Sequence, residues 1–229
     1  MKTWVVIPAR GGSKAIPNKN LSQVGSHSLL ARAVGTSLDA GVFTRVLVST
    51  DDRRIAEEAR RCGAEVVTRP SSLAGDLASS ESAVLHAVDS QARSVGEQPD
   101  AVVLVQCTSP FLRPEDLRSV YEHIGRYDSV FTAVEDYAFR WTPTGEGEVR
   151  PHQHDPTSPR MMRQQLSPML RESGGAYGML LHGLQLSGSR FFGRVGVVLV
   201  PESRSLEIDT QEDLMMAQWL ASYLDSTRP

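Results

Sequence analysis

Short apolar runs alternate with amphipathic stretches along most of the chain. The runs at residues 4–8 and 101–105 are continuous and rich in branched side chains, as in strands that are buried on both faces of a parallel sheet. The stretches between such runs place apolar residues three and four positions apart, which predicts helices packed on that sheet. The pattern therefore predicts an α/β fold with a doubly wound, mostly parallel sheet.

This alternation also predicts where the elements lie. Strands are expected at residues 4–8, 46–49, 65–68, 101–105, 129–134 and 193–201. Helices are expected at residues 29–38, from a cap at residues 50–52 to about residue 61, from Ser79 or Ser80 to beyond Val88, and from residue 114 to about residue 126. A last helix is expected after residue 210. Its apolar face consists of Leu214, Ala217, Ala221 and Leu224. We expect one domain that spans residues 1–229.

Residues 142–168 interrupt the pattern. They contain five prolines, two glycines and little periodic apolar character. A compact domain rarely carries so long an irregular segment without a use for it. We therefore interpret residues 136–170 as an irregular arm, either an active-site flap or a dimerisation arm, rather than as a passive linker.

The first predicted strand opens into a basic, glycine-rich loop that contains no acidic residue. Glycines expose backbone N–H groups to anionic oxygens, and nearby cations strengthen those hydrogen bonds. The loop is neither a Walker motif nor a dinucleotide fingerprint, and by itself it also fits an ordinary solvated connection. Its position favours a polyphosphate site, because ligands of open α/β sheets bind at the carboxyl ends of strands. The residues concerned are Arg10, Gly11, Gly12, Lys14 and Lys19.

Two carboxylates near the C-terminus form a candidate metal site. Glu207 and Asp209 alternate in an extended segment, so both side chains point to the same side. Mg²⁺ binds through one or two carboxylates together with substrate phosphate oxygens, which the basic loop would complement. The alternative is structural: Asp209 or Thr210 caps the last helix and Asp213 completes the capping box. Both interpretations can hold together.

Three further groups are candidates for substrate contacts. Gln106 follows the central strand and is placed to orient a polyol or a base edge, although small polar residues there also serve local turns. Arg163 and Gln164 end the irregular arm and are placed to meet an anion, although such residues are usually a solvated surface. The pair Phe191–Phe192 fits an apolar pocket wall, with core packing as the favoured alternative.

Composition narrows the classes of partner. The formal net charge is -3, so global electrostatics do not favour nucleic acid or an anionic membrane. Cys62 and Cys107 are far apart and are interpreted as reduced thiols. There is no apolar signal segment after Met1 and no run of membrane-spanning length. We expect a cytoplasmic protein that acts on small molecules.

Six short motifs in register resemble the acylneuraminate cytidylyltransferase family, the CMP-sialic acid synthetases. The motifs are Ile7-Pro8-Ala9-Arg10-Gly11-Gly12-Ser13-Lys14, Asn18-Lys19-Asn20-Leu21, Val48-Ser49-Thr50-Asp51, Gln106-Cys107-Thr108-Ser109-Pro110, Arg163-Gln164-Gln165 and Ile208-Asp209-Thr210-Gln211-Glu212-Asp213-Leu214. The resemblance runs nearly end to end. It implies a fold of the nucleotide-diphospho-sugar transferase type, transfer from CTP to an α-keto acid sugar with release of pyrophosphate, Mg²⁺ as cofactor, and a homodimer.

The resemblance also implies roles for individual residues. The triphosphate would be held by Arg10, Gly11, Gly12, Ser13, Lys14 and Lys19, the nucleoside would lie near Ala9, Arg10 and Asn20, and cytosine near Ser79 or Ser80. The sugar would face Gln106, Tyr177, Phe191 and Phe192, while Arg140, Arg163 and Gln164 would lie on an arm that reaches into a partner's site. Catalytic roles would fall to Arg10, Lys14 and Asp209, and Asp209 and Glu207 would bind the metal.

This chain departs from the family pattern at two positions. Glu207 stands where Asp is usual, and Ser173 stands where the family has the Asn of an Asn-Gly-Ala-x-Tyr segment. Both positions concern substrate geometry, so the nonulosonic acid that the resemblance implies as acceptor need not be N-acetylneuraminate. Three alternatives remain: a different acid such as a phosphonate, a sugar 1-phosphate, or a CTP-binding homologue with weakened catalysis.

Overall fold

A computed structural model describes residues 1–75 and 78–226 of the chain. A mostly parallel sheet of seven strands runs through this part. Its strands are β1 (Thr3–Pro8), β4 (Arg45–Thr50), β5 (Glu65–Thr68), β6 (Ala101–Val105), β7 (Ser129–Asp136), β10 (Met169–Leu180) and β11 (Val195–Leu199). Two small hairpins are formed by β2 (Gln23–Val24) with β3 (His27–Ser28) and by β8 (Arg140–Gly145) with β9 (Glu148–His152). The order across the sheet is β11-β7-β10-β6-β1-β4-β5, and β10 is antiparallel to both of its neighbours.

Helices cover both faces of this sheet. They are α1 (Leu29–Asp39), α2 (Arg53–Arg61), α3 (Ser80–Val95), α4 (Pro114–His123), α5 (Leu181–Ser187) and α6 (Gln211–Ser226). One core cluster joins alternate strand residues such as Val5 and Ile7 to α1, α2, α4 and α6, and the other joins Trp4 and Val6 to α3 and α5. The predicted doubly wound sheet is therefore confirmed. No helix within the described ranges combines the length and apolar character needed to cross a membrane.

Most predicted elements are confirmed to within a few residues. The strands Glu65–Thr68 and Ala101–Val105 have the predicted bounds, because their apolar runs end at polar residues. Helix α4 ends at His123, before the predicted end near residue 126. It stops because Ile124 is extended and Gly125 adopts a positive φ of 92°. The predicted face of α6 includes Leu214, Ala217 and Ala221, which are buried, whereas Leu224 lies outside the described side chains.

The prediction missed β10 and α5. Strand β10 contains polar and glycine residues between Arg171 and Gly175, and its register with β7 shifts between Glu172 and Tyr177. Neither an apolar run nor a strict alternation marks such a strand in the sequence.

The irregular arm contains regular structure, which corrects the sequence prediction for residues 142–168. Strands β8 and β9 form an antiparallel hairpin, and residues Arg163–Gln165 form a 3₁₀ turn. The hairpin turn has positive φ at Gly145, Glu146 and Gly147. Nearly all hairpin residues are exposed on both faces, so the hydrophobic pattern that reveals a half-buried strand is missing.

We expect Gly178→Ala to destabilise the protein. A Cβ at Gly178 would lie 2.7 Å from Ile124 Cδ1 and 2.8 Å from Val120 Cγ1, so α4 would have to move away from β10. Overpacking of this kind costs about 1–3 kcal/mol. The measurement is the free energy of unfolding in urea.

The matched control is Gly35→Ala in α1, where a Cβ would meet no heavy atom within 4 Å. It is expected to leave stability unchanged or raise it by up to about 1 kcal/mol, because alanine favours the helix. Equal stability of the two variants would contradict the close packing of α4 on β10.

Candidate functional site

The carboxyl ends of β1, β4 and β6 meet at one edge of the sheet, because these strands are parallel neighbours. The basic loop follows β1, and Asp51 follows β4. The segment that precedes α6 reaches the same edge, since Ile208 N donates to Thr108 O at 2.9 Å just beyond β6. The basic loop and the acidic pair, about 190 residues apart in sequence, are thus brought to one place.

The basic loop is fixed on its protein side by two polar contacts. Asn20 Nδ2 donates to Arg10 O at 3.0 Å, and Gly11 N donates to Asp51 Oδ1 at 3.0 Å. A Cβ at Gly11 would lie 2.8 Å from Asp52, whereas a Cβ at Gly12 would meet nothing within 4 Å. We expected both glycines to offer their N–H groups to a ligand; the Gly11 N–H donates to Asp51 in this structure, and ligand contact at both glycines stays a prediction.

The other predicted loop residues follow the same backbone. Ala9 is buried, and its N–H donates to Ser49 O at 2.9 Å, so it extends the pairing of β1 with β4. Ser13 N donates to Gly11 O at 3.2 Å. Lys14 is exposed at the outer end of the loop.

A cavity of about 240 Å³ lies beside the loop. It is lined by Pro8, Arg10, Arg69, Gly75, Ala78, Ser79 and Ser80. Ser79 is the N-cap of α3, where its Oγ accepts from Ser82 N at 3.1 Å, so Ser79 is engaged by the helix. The cavity brings together residues that the resemblance assigns to the nucleoside.

Arg69 is a cavity residue that the sequence interpretation missed. Only 7% of it is exposed, and its Nη2 donates to Ser49 O at 2.7 Å. Burial lowers the pKa of Arg69, the nearby Asp51 opposes this, and the charge of Arg10 lowers it further. Two cations held side by side favour an anionic or strongly polar ligand. Its position directly after β5 is the feature of the sequence that could have identified Arg69 as a candidate site residue.

Lys19 links the loop to the acidic pair. Its Nζ donates to Ile208 O at 2.9 Å and to Asp209 Oδ1 at 3.2 Å. Most of the Asp209 side chain remains accessible, at 71%, whereas the Lys19 side chain is 15% exposed. The Asp209 carboxylate is therefore both held by the loop and open to a ligand.

Glu207 is held more deeply than Asp209. Thr108 Oγ1 donates to Glu207 Oε1 at 3.4 Å, and a Cβ at Gly174 would lie 2.6 Å from Glu207 Oε2. Burial raises the pKa of Glu207, and the negative charge of Asp209 raises it further. The two carboxylates repel each other, and a cation between them would remove that penalty.

These residues fit a hard divalent cation that is shared with phosphate. Mg²⁺ needs one or two carboxylates and takes its remaining ligands from water and phosphate. No group of three or more His, Cys, Asp or Glu side chains with metal-binding geometry occurs in residues 1–75 and 78–226. Glu207 and Asp209 would supply the two carboxylates of such a site.

The cap of α6 is built without the Asp209 side chain. Asp213 Oδ2 accepts from Thr210 N at 2.8 Å and from Asp209 N at 3.1 Å, and Asp213 N donates to Thr210 Oγ1 at 3.2 Å. Of the two structural alternatives, capping by Thr210 with Asp213 is right and capping by Asp209 is wrong. The Asp209 carboxylate is thereby left to Lys19 and to ligands.

The residues assigned to the sugar lie on and beside β10. The hydroxyl of Tyr177 donates to Glu172 Oε2 at 2.8 Å, and the ring of Phe191 contacts Tyr177 at 6.0 Å between centroids. Phe192 packs against α5, where a Cβ at Gly183 would lie 2.0 Å from its ring. Phe191 and Phe192 thus have the packing role given as the alternative, and their contact with a substrate stays a prediction.

Gln106, which follows β6, and Ser173, which lies at the bulge of β10, differ in orientation. Gln106 is half-buried, and its backbone N–H donates to Gly175 O at 3.2 Å. Ser173 is 2% exposed, and its Oγ donates to Thr132 Oγ1 at 2.7 Å. Ser173 therefore points into the core and does not replace the amide of the family's Asn.

The arm residues surround a second cavity of about 490 Å³. Its lining comprises Glu135, Asp136, Tyr137, Ala138, Phe139, Met161, Arg163, Leu166, Arg171 and Glu202. The Arg163 guanidinium lies 4.5 Å from the Tyr137 ring centroid, and Arg140 forms an ion pair with Asp136. Gln164 is exposed on the 3₁₀ turn. These residues form a group separate from the cavity beside the basic loop.

Comparison with solved structures shows the fold. The CMP:2-keto-3-deoxy-manno-octonic acid synthetase, solved in complex with CTP, aligns over 98% of this chain and 100% of its own with a TM-score of 0.67 and 17% identity. The 4-diphosphocytidyl-2C-methyl-D-erythritol synthase of Anaerococcus prevotii aligns over 98% of both chains with a TM-score of 0.66 and 15% identity. The sheet and its helices are therefore those of the nucleotidyltransferase fold.

Comparison with proteins of similar sequence identifies the family. N-acylneuraminate cytidylyltransferase A of Danio rerio is 33% identical over 222 residues, which are 93% of this chain and 49% of that protein. The pseudaminic acid cytidylyltransferase of Campylobacter jejuni is 29% identical over 224 residues, 96% of both chains. The chain thus spans about half the length of the fish relative. A family model described as cytidylyltransferase matches residues 4–173, and the chain belongs to the cytidylyltransferase family.

Proposed function

We propose that the protein is a magnesium-dependent cytidylyltransferase that joins CTP to a nonulosonic acid and releases pyrophosphate. The observation that carries the proposal is the contact of Lys19 with Ile208 O and Asp209, which unites a basic loop and an acidic pair at the carboxyl edge of the sheet. A nucleoside triphosphate with its metal needs both charges in one place. The names of the relatives, which act on N-acylneuraminate and pseudaminic acid, support the acceptor class.

The proposed reaction is a single displacement at phosphorus. The anomeric hydroxyl oxygen of the acceptor forms a bond to the α-phosphorus, the bond from that phosphorus to the bridging oxygen breaks, and pyrophosphate leaves with the electron pair. The hydroxyl proton passes to a base or to water. Positioning and electrostatic stabilisation supply most of the rate in such a reaction.

The basic loop would neutralise the charge that develops on pyrophosphate. Arg10 is suited to a forked contact with phosphate oxygens, and Lys14 and Lys19 are suited to point contacts. The cavity beside the loop, which Arg10 shares with Arg69 and Ser80, would take the nucleoside. The order of groups along the edge would then place the triphosphate between the cavity and the acidic pair.

Glu207 and Asp209 would hold Mg²⁺, which supplies positive charge to the triphosphate oxygens. Glu207 is confined by Gly174 and Thr108 and interacts electrostatically with Asp209. These contacts keep the Glu207 carboxylate beside Asp209, where a metal shared by both would need it.

The acceptor is proposed to be a nonulosonic acid other than N-acetylneuraminate. Ser173 turns into the core toward Thr132, so the amide contact that the family's Asn would make must be replaced or lost. An acceptor whose substituents differ from those of N-acetylneuraminate fits such a pocket.

We also propose that the protein works as a homodimer through the arm. The arm exposes large apolar side chains, including 43% of Trp141 and 67% of Met162. Exposed apolar groups clustered on one segment are typical of a protein contact.

The function is tested by measuring pyrophosphate release from CTP with a panel of nonulosonic acids, a phosphonate and a sugar 1-phosphate. We expect release with at least one nonulosonic acid, dependence on Mg²⁺ and little activity with ATP. Release with the phosphonate or the sugar 1-phosphate alone would reassign the acceptor. No release with any acceptor, despite tight CTP binding, would favour the weakened homologue.

Asp209→Asn is expected to abolish turnover, with a loss of at least about a hundredfold, because the metal pair loses charge where phosphate must be neutralised. Its melting temperature should stay near that of the wild type, since the helix cap does not use this carboxylate. The measurements are kcat at several Mg²⁺ concentrations and thermal unfolding.

The matched variant is Asp213→Asn, four residues away. It replaces the charged acceptor of the α6 cap with an amide, whose oxygen accepts more weakly, so it should lower stability by at most about 1 kcal/mol while the Mg²⁺ requirement is retained. If Asp209→Asn kept its activity at ordinary Mg²⁺ concentrations, another residue would have to be the ligand.

Arg10→Ala is expected to lower kcat/KM for CTP by about tenfold to a hundredfold, because one charge-assisted contact is worth about 1.5–3 kcal/mol. The control is Arg53→Ala, which removes a 92% exposed side chain from α2. Unchanged CTP kinetics in Arg10→Ala would remove Arg10 from the site.

A further inference from the structure

A partly buried charged network crosses the face of the sheet beneath α3. Arg190 Nε donates to Glu81 Oε1 at 2.5 Å, and its guanidinium lies 4.5 Å from the Tyr177 ring centroid. Tyr177 in turn donates to Glu172. The side chains of the ion pair are 13% exposed for Glu81 and 21% exposed for Arg190. The network is thus ordered, and Arg190 retains an open side.

The two ends of the network reach the two halves of the candidate site. Glu81 lies in the first turn of α3, next to Ser80, which lines the cavity beside the basic loop. At the other end, Glu172 lies on β10 two residues before Gly174, against which Glu207 packs. The network therefore connects a sequence neighbour of the cavity with the strand segment that packs against Glu207.

The ion pair of Glu81 with Arg190 compensates for the burial of its own charges. Burial raises the pKa of Glu81, and its hydrogen bond and ion pair with Arg190 reverse this and lower the pKa below its usual value. Replacing a buried ion pair with apolar residues is often neutral or stabilising. Stability alone is therefore a weak reason for such a pair beside a pocket.

Arg190 has more donors than its protein partners accept. A guanidinium carries five N–H groups, whereas among the described residues Glu81 and Tyr177 offer it one carboxylate and one phenol oxygen. Glu81 accepts from Nε and so orients the guanidinium, whose central carbon lies 4.5 Å from the Tyr177 ring centroid. A fixed guanidinium of this kind is suited to a ligand oxygen.

We propose that Arg190, oriented by Glu81, is a specificity-determining residue that donates hydrogen bonds to an oxygen-bearing substituent of the acceptor. This inference rests on the proposed cytidylyltransferase function and adds the chemistry of the acceptor to it. The oxygen is a hydroxyl, an amide carbonyl or a carboxylate. Glu81 is a positioning residue that acts through Arg190. The contact takes over the recognition that Ser173, turned toward Thr132, does not provide.

The experiment compares Arg190→Gln, Arg190→Lys and Glu81→Gln with the wild type. KM for the acceptor, KM for CTP, kcat and the melting temperature are measured with the nonulosonic acid that the wild type turns over best. The control is Arg53→Gln, which breaks the exposed pair with Glu57 on α2. CTP affinity is measured by calorimetry in parallel.

For Arg190→Gln we expect KM for the acceptor to rise about tenfold to a hundredfold, with KM for CTP within about twofold of the wild type. Arg190→Lys should recover part of the loss, because it keeps the charge but not the fork. Glu81→Gln should raise KM for the acceptor by a smaller factor. Arg53→Gln should change none of these values.

Two results would overturn the inference. The first is an unchanged KM for the acceptor in all three variants. The second is an equal rise in both KM values that follows the loss of melting temperature, as a purely structural role predicts. If Arg190→Gln does not fold, Arg190→Lys and Glu81→Gln decide by the same criteria. Absence of turnover in the wild type would instead reject the proposed function, so the two failures are distinguishable.

Discussion

The contact of the Lys19 ammonium with Ile208 O and Asp209 is the interaction on which the rest of the candidate site depends. It joins a loop at the start of the chain to a segment 189 residues later, and it opposes the charge of one carboxylate of the acidic pair. Around it, like charges are held close together: Arg10 beside Arg69, and Glu207 beside Asp209. Asp51 offsets part of the repulsion in the first pair and Lys19 part of that in the second, and a ligand of opposite charge would offset more of it. A metal triphosphate carries both signs and would relieve both pairs at once.

The fold makes this arrangement possible with few dedicated contacts. Parallel β1, β4 and β6 end at one edge, and the backbone bond from Ile208 to Thr108 brings the C-terminal segment to the same edge. Antiparallel β10 carries Gly174, against which Glu207 packs, and Tyr177, which connects to Glu172. The reciprocal cap between Thr210 and Asp213 starts α6 without using Asp209. Separate residues therefore serve structure and ligand binding within one short segment.

The sequence predicted the parts of the molecule whose physics is local. The continuous run in β6 and the caps of α3 and α6 leave direct signatures in residue order. Strand β10 was missed because its bulge and glycines hide the alternation, and the arm hairpin was missed because both of its faces are exposed. Arg69 and the pair of Glu81 with Arg190 were missed because their positions depend on packing between distant segments. The orientation of Ser173 into the core also follows from tertiary contacts alone.

The central claim is that the basic loop and the acidic pair form one site for CTP with its metal. The most direct measurement is calorimetric titration of CTP into the protein with Mg²⁺ and with EDTA. We expect CTP to bind at least about tenfold more tightly with Mg²⁺, because the acidic pair then attracts the triphosphate instead of repelling it. Equal affinity in the two buffers, or tighter binding in EDTA, would contradict the account.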